Sequence, residues 1–399
     1  MTHAAQLRFR PERPNPVWSR VHAVRVCVFV AGCAAGCLGA GPAAIAQPSA
    51  APRVGPPQLV DRPDDWFRSD EGRRIVDNIV SWQNANGGWW KNYDAGHPRP
   101  DPLPPARTDD GAPGDTEDVW RLTSTFDNGA TYNELRVLAR AYRCVGDERY
   151  RHAFDRGLTF VLAAQYPNGG WPQRFPLRDN YGRHITFNDG AMTGVLRLLK
   201  AIADHAADYP FVTEDRRREC AAAYARGVQC ILDCQVRVNG RLTAWCQQHD
   251  AKTLQPAGAR TYELPSLTGD ESADIVLLLM DEPQPDDRIR TAVDAAVAWY
   301  RSTEIRGLRV DRVKGPQYEN GEDRIVVEDA AAGPLWARFY DIGTNRPFFA
   351  SRDGTKRASL AEISWERRNH YSWYGTWGKK VYEAYARWQR RVGAAPSDR

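Results

Sequence analysis

"TFDNGATYNELRVLARAY", residues 125–142, returns as "TFNDGAMTGVLRLLKAIA" at 186–203 and more weakly as "SLTGDESADIVLLLMDE" at 266–282. The first two copies set Asp127 against Asn188, Asn128 against Asp189 and Arg136 against Arg197. Each copy opens with residues of the cap type and continues with apolar positions at i, i+3, i+4 and i+7, which predicts helices starting near Asp127, Asp189 and Asp270. A second unit precedes each of these. "SWQNANGGWWKN" (81–92) recurs as "AAQYPNGGWPQRF" (163–175) and faintly as "DCQVRVNGRLTAWCQ" (233–247), each following a helical apolar pattern and ending in an Asn-Gly turn. Outer helix, turn and inner helix, three times over, describe a mainly α protein, an α/α toroid whose inner helices start at one common mouth. Residues of about 305–375 are richer in loops and aromatics. They are expected to supply short strands and a second, smaller wall to a central cleft, before "KKVYEAYARWQRRV" closes the chain as a helix.

The start of the chain reads differently. Arg8, Arg10, Arg13, Arg20 and Arg25 lead into an apolar run ending Ala44, Ile45, Ala46, the pattern of a secretory signal over 1–46 with cleavage after Ala46. A lipidated Cys33 is the lesser alternative, and either way the mature protein is secreted or periplasmic without a membrane span. Residues 47–63, rich in Pro, Ala and Gln, read as a linker, so 64–390 form the main domain. A Pro- and Gly-rich loop over about 94–118 is long enough to border a cleft.

The formal charge of +4 falls to 0 without the leader, which carries five Arg and one Glu. A polyanion must then be attracted by locally placed cations, and nucleic acid is a poor partner. Five Cys follow the leader, Cys144, Cys220, Cys230, Cys234 and Cys246. An odd number leaves at least one unpaired. A disulfide between two of the last four is possible on export, while Cys230 and Cys234, one helical turn apart, also suit a core. The 14 Trp point mildly to carbohydrate.

Among chemistry-bearing residues, Asp127 and Asp189 occupy neighbouring points of two repeats, with Asn128 and Asn188 beside them. Converging carboxylate and amide oxygens suit calcium, and the same residues also suit helix caps. Arg260 precedes the third inner helix, either as a functional cation or as the ion-pair partner of Glu263 or Glu271. Arg346, Arg352 and Lys356 stand near Phe348 and Phe349, and Lys91 near Trp89, Trp90 and Tyr93. Guanidinium forks and rings together match a chain of sugar carboxylates, although Gly-Gly-Trp can also be pure architecture, the preferred reading for Trp171. His184 and His249 are isolated. Signatures of serine hydrolases, P-loops, zinc sites and dinucleotide folds are missing from the sequence.

These stretches, together with "YPNGGWPQRFPLRDNYGRHITFNDGAM", "LTAWCQQHDAKTLQPAGARTYELPSLTGDES", "LWARFYDIGTNRPFFASRDG" and "LAEISWERRNHYSWYG", resemble the successive blocks of pectate lyases of polysaccharide lyase family ten, over about 70–385. The resemblance implies an (α/α)3 barrel and a monomer that cleaves polygalacturonate by calcium-assisted β-elimination. It implies Asp127 and Asp189 at the metal, Arg260 as the base, and Asn128, Arg346, Arg352, Lys91 and Asn92 on the substrate. Two departures stand out. Trp90 replaces a Pro of "GGWPKN", and Gly190 replaces the second Asp of "YNDDAM". The rival reading on a similar toroid is a glycoside hydrolase using two of Asp127, Asp189, Asp270 and Glu271 as acid and base. A non-catalytic binder of uronate chains is a third.

Overall fold

The structure, a computed structural model, describes residues 53–101 and 123–393. The leader over 1–46, Cys33, residues 47–52 and the loop from 102 to 118 lie outside the described residues. Of the expected linker, 53–63 pack onto the domain. Leu59 and Val60 are buried in the main core, and Val54 exchanges backbone and side-chain hydrogen bonds with Ala95 and Asp94.

After a short helix α1 (Asp64–Arg68), three outer and inner helices alternate. They are α2 (Asp70–Ser81) and α3 (Tyr132–Val145), α4 (Glu148–Ala163) and α5 (Ala191–Ala203), then α6 (Glu214–Cys234) and α7 (Glu271–Met280). The inner helices α3, α5 and α7 touch in sequence, and so do the outer helices α2, α4, α6 and α8 (Asp287–Ser302). After another short helix, α9 (Trp365–Asn369), the final helix α10 (Trp377–Gly393) packs on α7 and α8.

Outer and inner helices begin differently. The outer ones carry side-chain caps, Ser69 to the Gly72 amide, Asp147 to Arg149, Thr213 to Arg216 and Asp286 to Ile289. The inner ones begin at Thr131, Gly190 and Asp270, none of which makes a side-chain cap bond. The expected helix starts at Asp127 and Asp189 are therefore displaced. Both residues lie in 3-10 turns (Asp127–Gly129 and Asn188–Gly190) ahead of their helices, so neither carboxylate is spent on capping.

The repeated turns are structural stitches. Gln83 donates to Gly87 O and to Ala153 O of the next outer helix, Gln165 repeats this with Gly169 and Ala223, and Gln235 with Thr243 and Ala292. Trp89, Trp171 and Trp245 are fully buried, and each indole N–H donates to its own outer helix at Ile79, Val161 or Ile231. Gly87 and Gly169 have φ of +96° and +90°, and a Cβ there would lie 2.5 Å from Arg156 O or 2.0 Å from Arg226 O. Only glycine fits both constraints.

The second wall is built from short antiparallel pairs and one longer hairpin, Leu308–Lys314 with Glu322–Glu328. Phe339–Tyr340 pairs with Leu267–Thr268, directly before α7, which ties this wall to the mouth. A satellite core of Tyr262, Phe339, Phe348, Phe349, Leu360, Ile363 and Trp373 lies beneath it. Phe348 and Phe349 are thus core residues and not sugar-stacking rings. The five described cysteines are all free, and Cys230 and Cys234 fall to the core reading. No described helix is long and apolar enough to cross a membrane.

Candidate active site

At the mouth, the two 3-10 turns touch. In each, the second residue is left-handed, Asn128 at φ 52° and Asp189 at φ 49°, a conformation that Asn and Asp tolerate best among residues with a Cβ. The first residue of each turn is buried, Asp127 in one repeat and Asn188 in the other. The Asn188 amide bridges the two acids, donating to Asp127 Oδ1 at 3.2 Å and Asp189 Oδ2 at 2.8 Å. Lys91 Nζ pairs with Asp127 Oδ2. Asn128 donates to Asn92 Oδ1 at 3.3 Å, so Lys91 and Asn92 of the first turn join the group. A cavity of about 260 Å³ opens beside Lys91, Asn92 and Asn128.

Burial and the nearby Asp127 charge push the Asp189 carboxyl up to about 6, against the pull of Arg338. Asp270 is pushed up to about 7 by burial and by Glu271. Arg338 stands between these acids. It pairs with Glu271, lies 3.1 Å from Asp270 and 3.7 Å from Asp189, and is almost fully buried. Gln247 donates to Glu271 at 2.9 Å and also to Asn188, joining the two repeats through a neutral amide.

Arg260 lies beside Tyr371. Its Nε and a terminal nitrogen hold both oxygens of buried Glu263, at 2.8 and 2.6 Å, and the Tyr371 hydroxyl donates to Glu263 at 2.8 Å. The Arg260 guanidinium sits 5.0 Å from the Tyr262 ring centre and 5.8 Å from that of Tyr371, which also carries Arg338 at 4.8 Å. Burial works against the Arg260 charge, but the bonds and field of Glu263 outweigh it and hold the pKa above the ordinary arginine value. Arg352 reaches the same neighbourhood, 5.8 Å from the Tyr262 ring and 3.0 Å from Glu366. Arg346 does not. It is exposed on the loop whose Asn345 accepts from Trp299 of α8, and Lys356 pairs there with Asp341.

The sequence offers Glu263 and Glu271 as alternative partners of Arg260 and gives no signal for Gln247, Arg338 or Tyr371. None of these three stands in the aligned part of the helix-opening repeat that exposed Asp127 and Asp189. The aromatic reading near Lys91 also changes: Trp89 and Tyr93 are core, and Trp90 is buried beneath the Arg174 guanidinium, 5.2 Å from its ring centre.

The carboxylates of Asp189, Asp270 and Glu271 thus gather around Arg338, which Tyr371 links to Arg260. The family model of pectic acid lyases matches residues 73–382. The chain belongs to the pectic acid lyase family. The lyase is similar to the family 10 polysaccharide lyase from Cellvibrio cellulosa, at 34% identity over 83% of this chain and 95% of that one, with a TM-score of 0.67. A mutant of that Cellvibrio lyase solved with trigalacturonic acid is 32% identical over 86% of this chain and 100% of the other, again with a TM-score of 0.67. No curated protein matches the chain. The (α/α)3 toroid and the pectate lyase activity follow from membership, and the hydrolase and non-catalytic readings fall.

The donor set fits a hard divalent cation of the calcium type. Asp127 and Asp189 present hard carboxylate oxygens joined through the Asn188 amide, with Lys91 on Asp127 and Arg338 3.7 Å from Asp189. Among the described residues no three acidic, histidine or cysteine side chains form a metal cage. Such an ion would be held by the two carboxylates and completed by water and a substrate anion.

Proposed function

We propose that the protein is an exported lyase that cleaves α-1,4-linked polygalacturonate by calcium-assisted β-elimination, leaving 4,5-unsaturated oligogalacturonides. What carries this reading is the juxtaposition of Asp127 and Asp189 with Arg338, Arg260 and Arg352 across one mouth. The leader over 1–46 supports export. A saccharide bound by the Cellvibrio enzyme supports a uronate chain as substrate.

The chemistry asks for neutralisation. The proton at C5 is weakly acidic while the neighbouring carboxylate keeps its charge, and an enolate-like anion develops as the proton leaves. Asp127 and Asp189 would hold calcium, which when bound supplies positive charge to that carboxylate. Arg338, buried and fixed by Glu271 and Asp270, supplies a second, preorganised charge. Arg352, Lys91, Asn92 and Asn128 align the flanking sugars, and Arg346 contacts the chain only at a distance from the scissile bond.

Arg260 is assigned to the C5 proton. To accept it the guanidinium must first be neutral, and Glu263 opposes that while Arg338 and Arg352 favour it. Glu263 therefore fixes where Arg260 points and also sets the pH at which it can act. The test is to follow ultraviolet absorbance and reducing ends together on polygalacturonate. Arg260→Ala is expected to remove both, with KM or direct binding changed only a few fold; a variant that turns over normally overturns the assignment.

A further inference from the structure

On one face of the hairpin formed by Leu308–Lys314 and Glu322–Glu328, Arg312 stands directly opposite Arg324. Like charges at facing positions are unfavourable in a strand pair unless something neutralises them. Among the described residues Arg312 has only Glu322, at 3.9 Å, and over half its side chain is exposed. Arg324 is half-buried, and among the described residues no carboxylate lies within ion-pair reach of it. Burial, with Arg312 adding to it, lowers its pKa. Among the described residues its one side-chain hydrogen bond runs to the backbone oxygen of Tyr371, at 2.8 Å. That is the residue whose ring carries Arg260 and Arg338.

The neighbouring pair on the same face is Val310 opposite Val326. Val326 is one of two large apolar side chains that the described surface exposes, at 37%. An apolar platform beside two guanidinium groups, whose ion pairing among the described residues is limited to Glu322 at 3.9 Å from Arg312, matches both halves of a uronate sugar, the C–H face of the ring and the carboxylate. The opposite face holds Asp323, tied to Arg368 and Asn369 on α9, while on the arginine face Arg312 and Val326 are exposed and Arg324 reaches back to Tyr371.

We propose that Arg312, Arg324, Val310 and Val326 form a distal subsite that binds one galacturonate unit of a long substrate chain, beyond the sugars at the scissile bond. This rests on the polygalacturonate reading above. It makes the hairpin an arm that extends the cleft outward from Tyr371, favouring long chains.

The experiment compares polygalacturonate with trigalacturonate for Arg312→Ala, Arg324→Ala and Val326→Glu. For the polymer, KM is expected to rise about tenfold for each Arg variant, the order of one charge-assisted hydrogen bond, and further for Val326→Glu, with kcat within twofold. For the trimer, KM and kcat stay within twofold. Arg312→Ala also removes the facing charge, so its Tm without substrate should hold or rise. Unchanged polymer KM overturns the subsite, as does an equal loss on both substrates. If the wild-type protein forms no unsaturated product, the lyase reading fails instead; an active wild type with unaffected variants condemns the subsite alone.

Discussion

Asp189 has two states that matter at the mouth. Its folded pKa is raised to about 6 from 3.8, so the fold favours its protonated form between those values. Relative to Asp189→Asn, the protein without calcium should therefore lose stability as pH rises from about 4 to about 6. Activity runs the opposite way, because only the carboxylate can share a cation. At low calcium, kcat/KM is expected to climb through about pH 6, and added calcium should move that limb to lower pH. A limb insensitive to calcium would separate Asp189 from the metal. Gly190 bears on the same ligand set. It has φ +71°, and a Cβ there would meet nothing closer than Thr193 Oγ1 at 3.6 Å. Gly190→Asp has room, at a position where Asp tolerates the backbone, and should tighten calcium roughly tenfold by titration calorimetry. Glu263→Gln should lower kcat at least about tenfold, since Arg260 loses its paired anchor, and move to lower pH the rise in activity that follows loss of the Arg260 proton. Unchanged kcat would mean that Glu263 does not orient Arg260.

At the level of elements, the stitching turns are where the fold is most exposed to change. Gly169→Ala would put a Cβ at 2.0 Å from Arg226 O with φ +90°, so Tm should fall by at least about 2 °C, and Gly87→Ala should behave alike. Ala at Gly146, which caps the end of α3 with nothing within 4 Å of a Cβ, should cost less. Such turns and the helices they join were legible in the sequence because their signals are local: an apolar period, a glycine pair, a buried Trp three times over. Two helix starts lie beyond the expected residues for a physical reason. Asp127 and Asp189 look like caps, yet a 3-10 turn separates each from its helix and leaves the carboxylate for the mouth. The second wall was less legible, since its strand pairs are mostly two residues long and join distant segments, as Phe339–Tyr340 joins Leu267–Thr268.

Across the whole molecule, chemistry gathers where the repeat symmetry breaks. Asp127 and Asp189 could be found by comparing one repeat with the next. Arg338 and Tyr371 could not, because they come from the unrepeated wall that closes over the mouth. Aromatic abundance misled about which rings meet sugar, since composition does not say which face of a turn is buried. Trp89, Tyr93, Phe348 and Phe349 all proved to be core. On the proposed mechanism the carboxylate turns and the arginines act together, through calcium, to eliminate rather than hydrolyse. Ultraviolet absorbance of the C4–C5 double bond, followed on polygalacturonate with chelator and then with calcium restored, tests it most directly. The expected trace is silent with chelator and rises when calcium returns, in step with new reducing ends; reducing ends without absorbance, or absorbance indifferent to chelator, would contradict it.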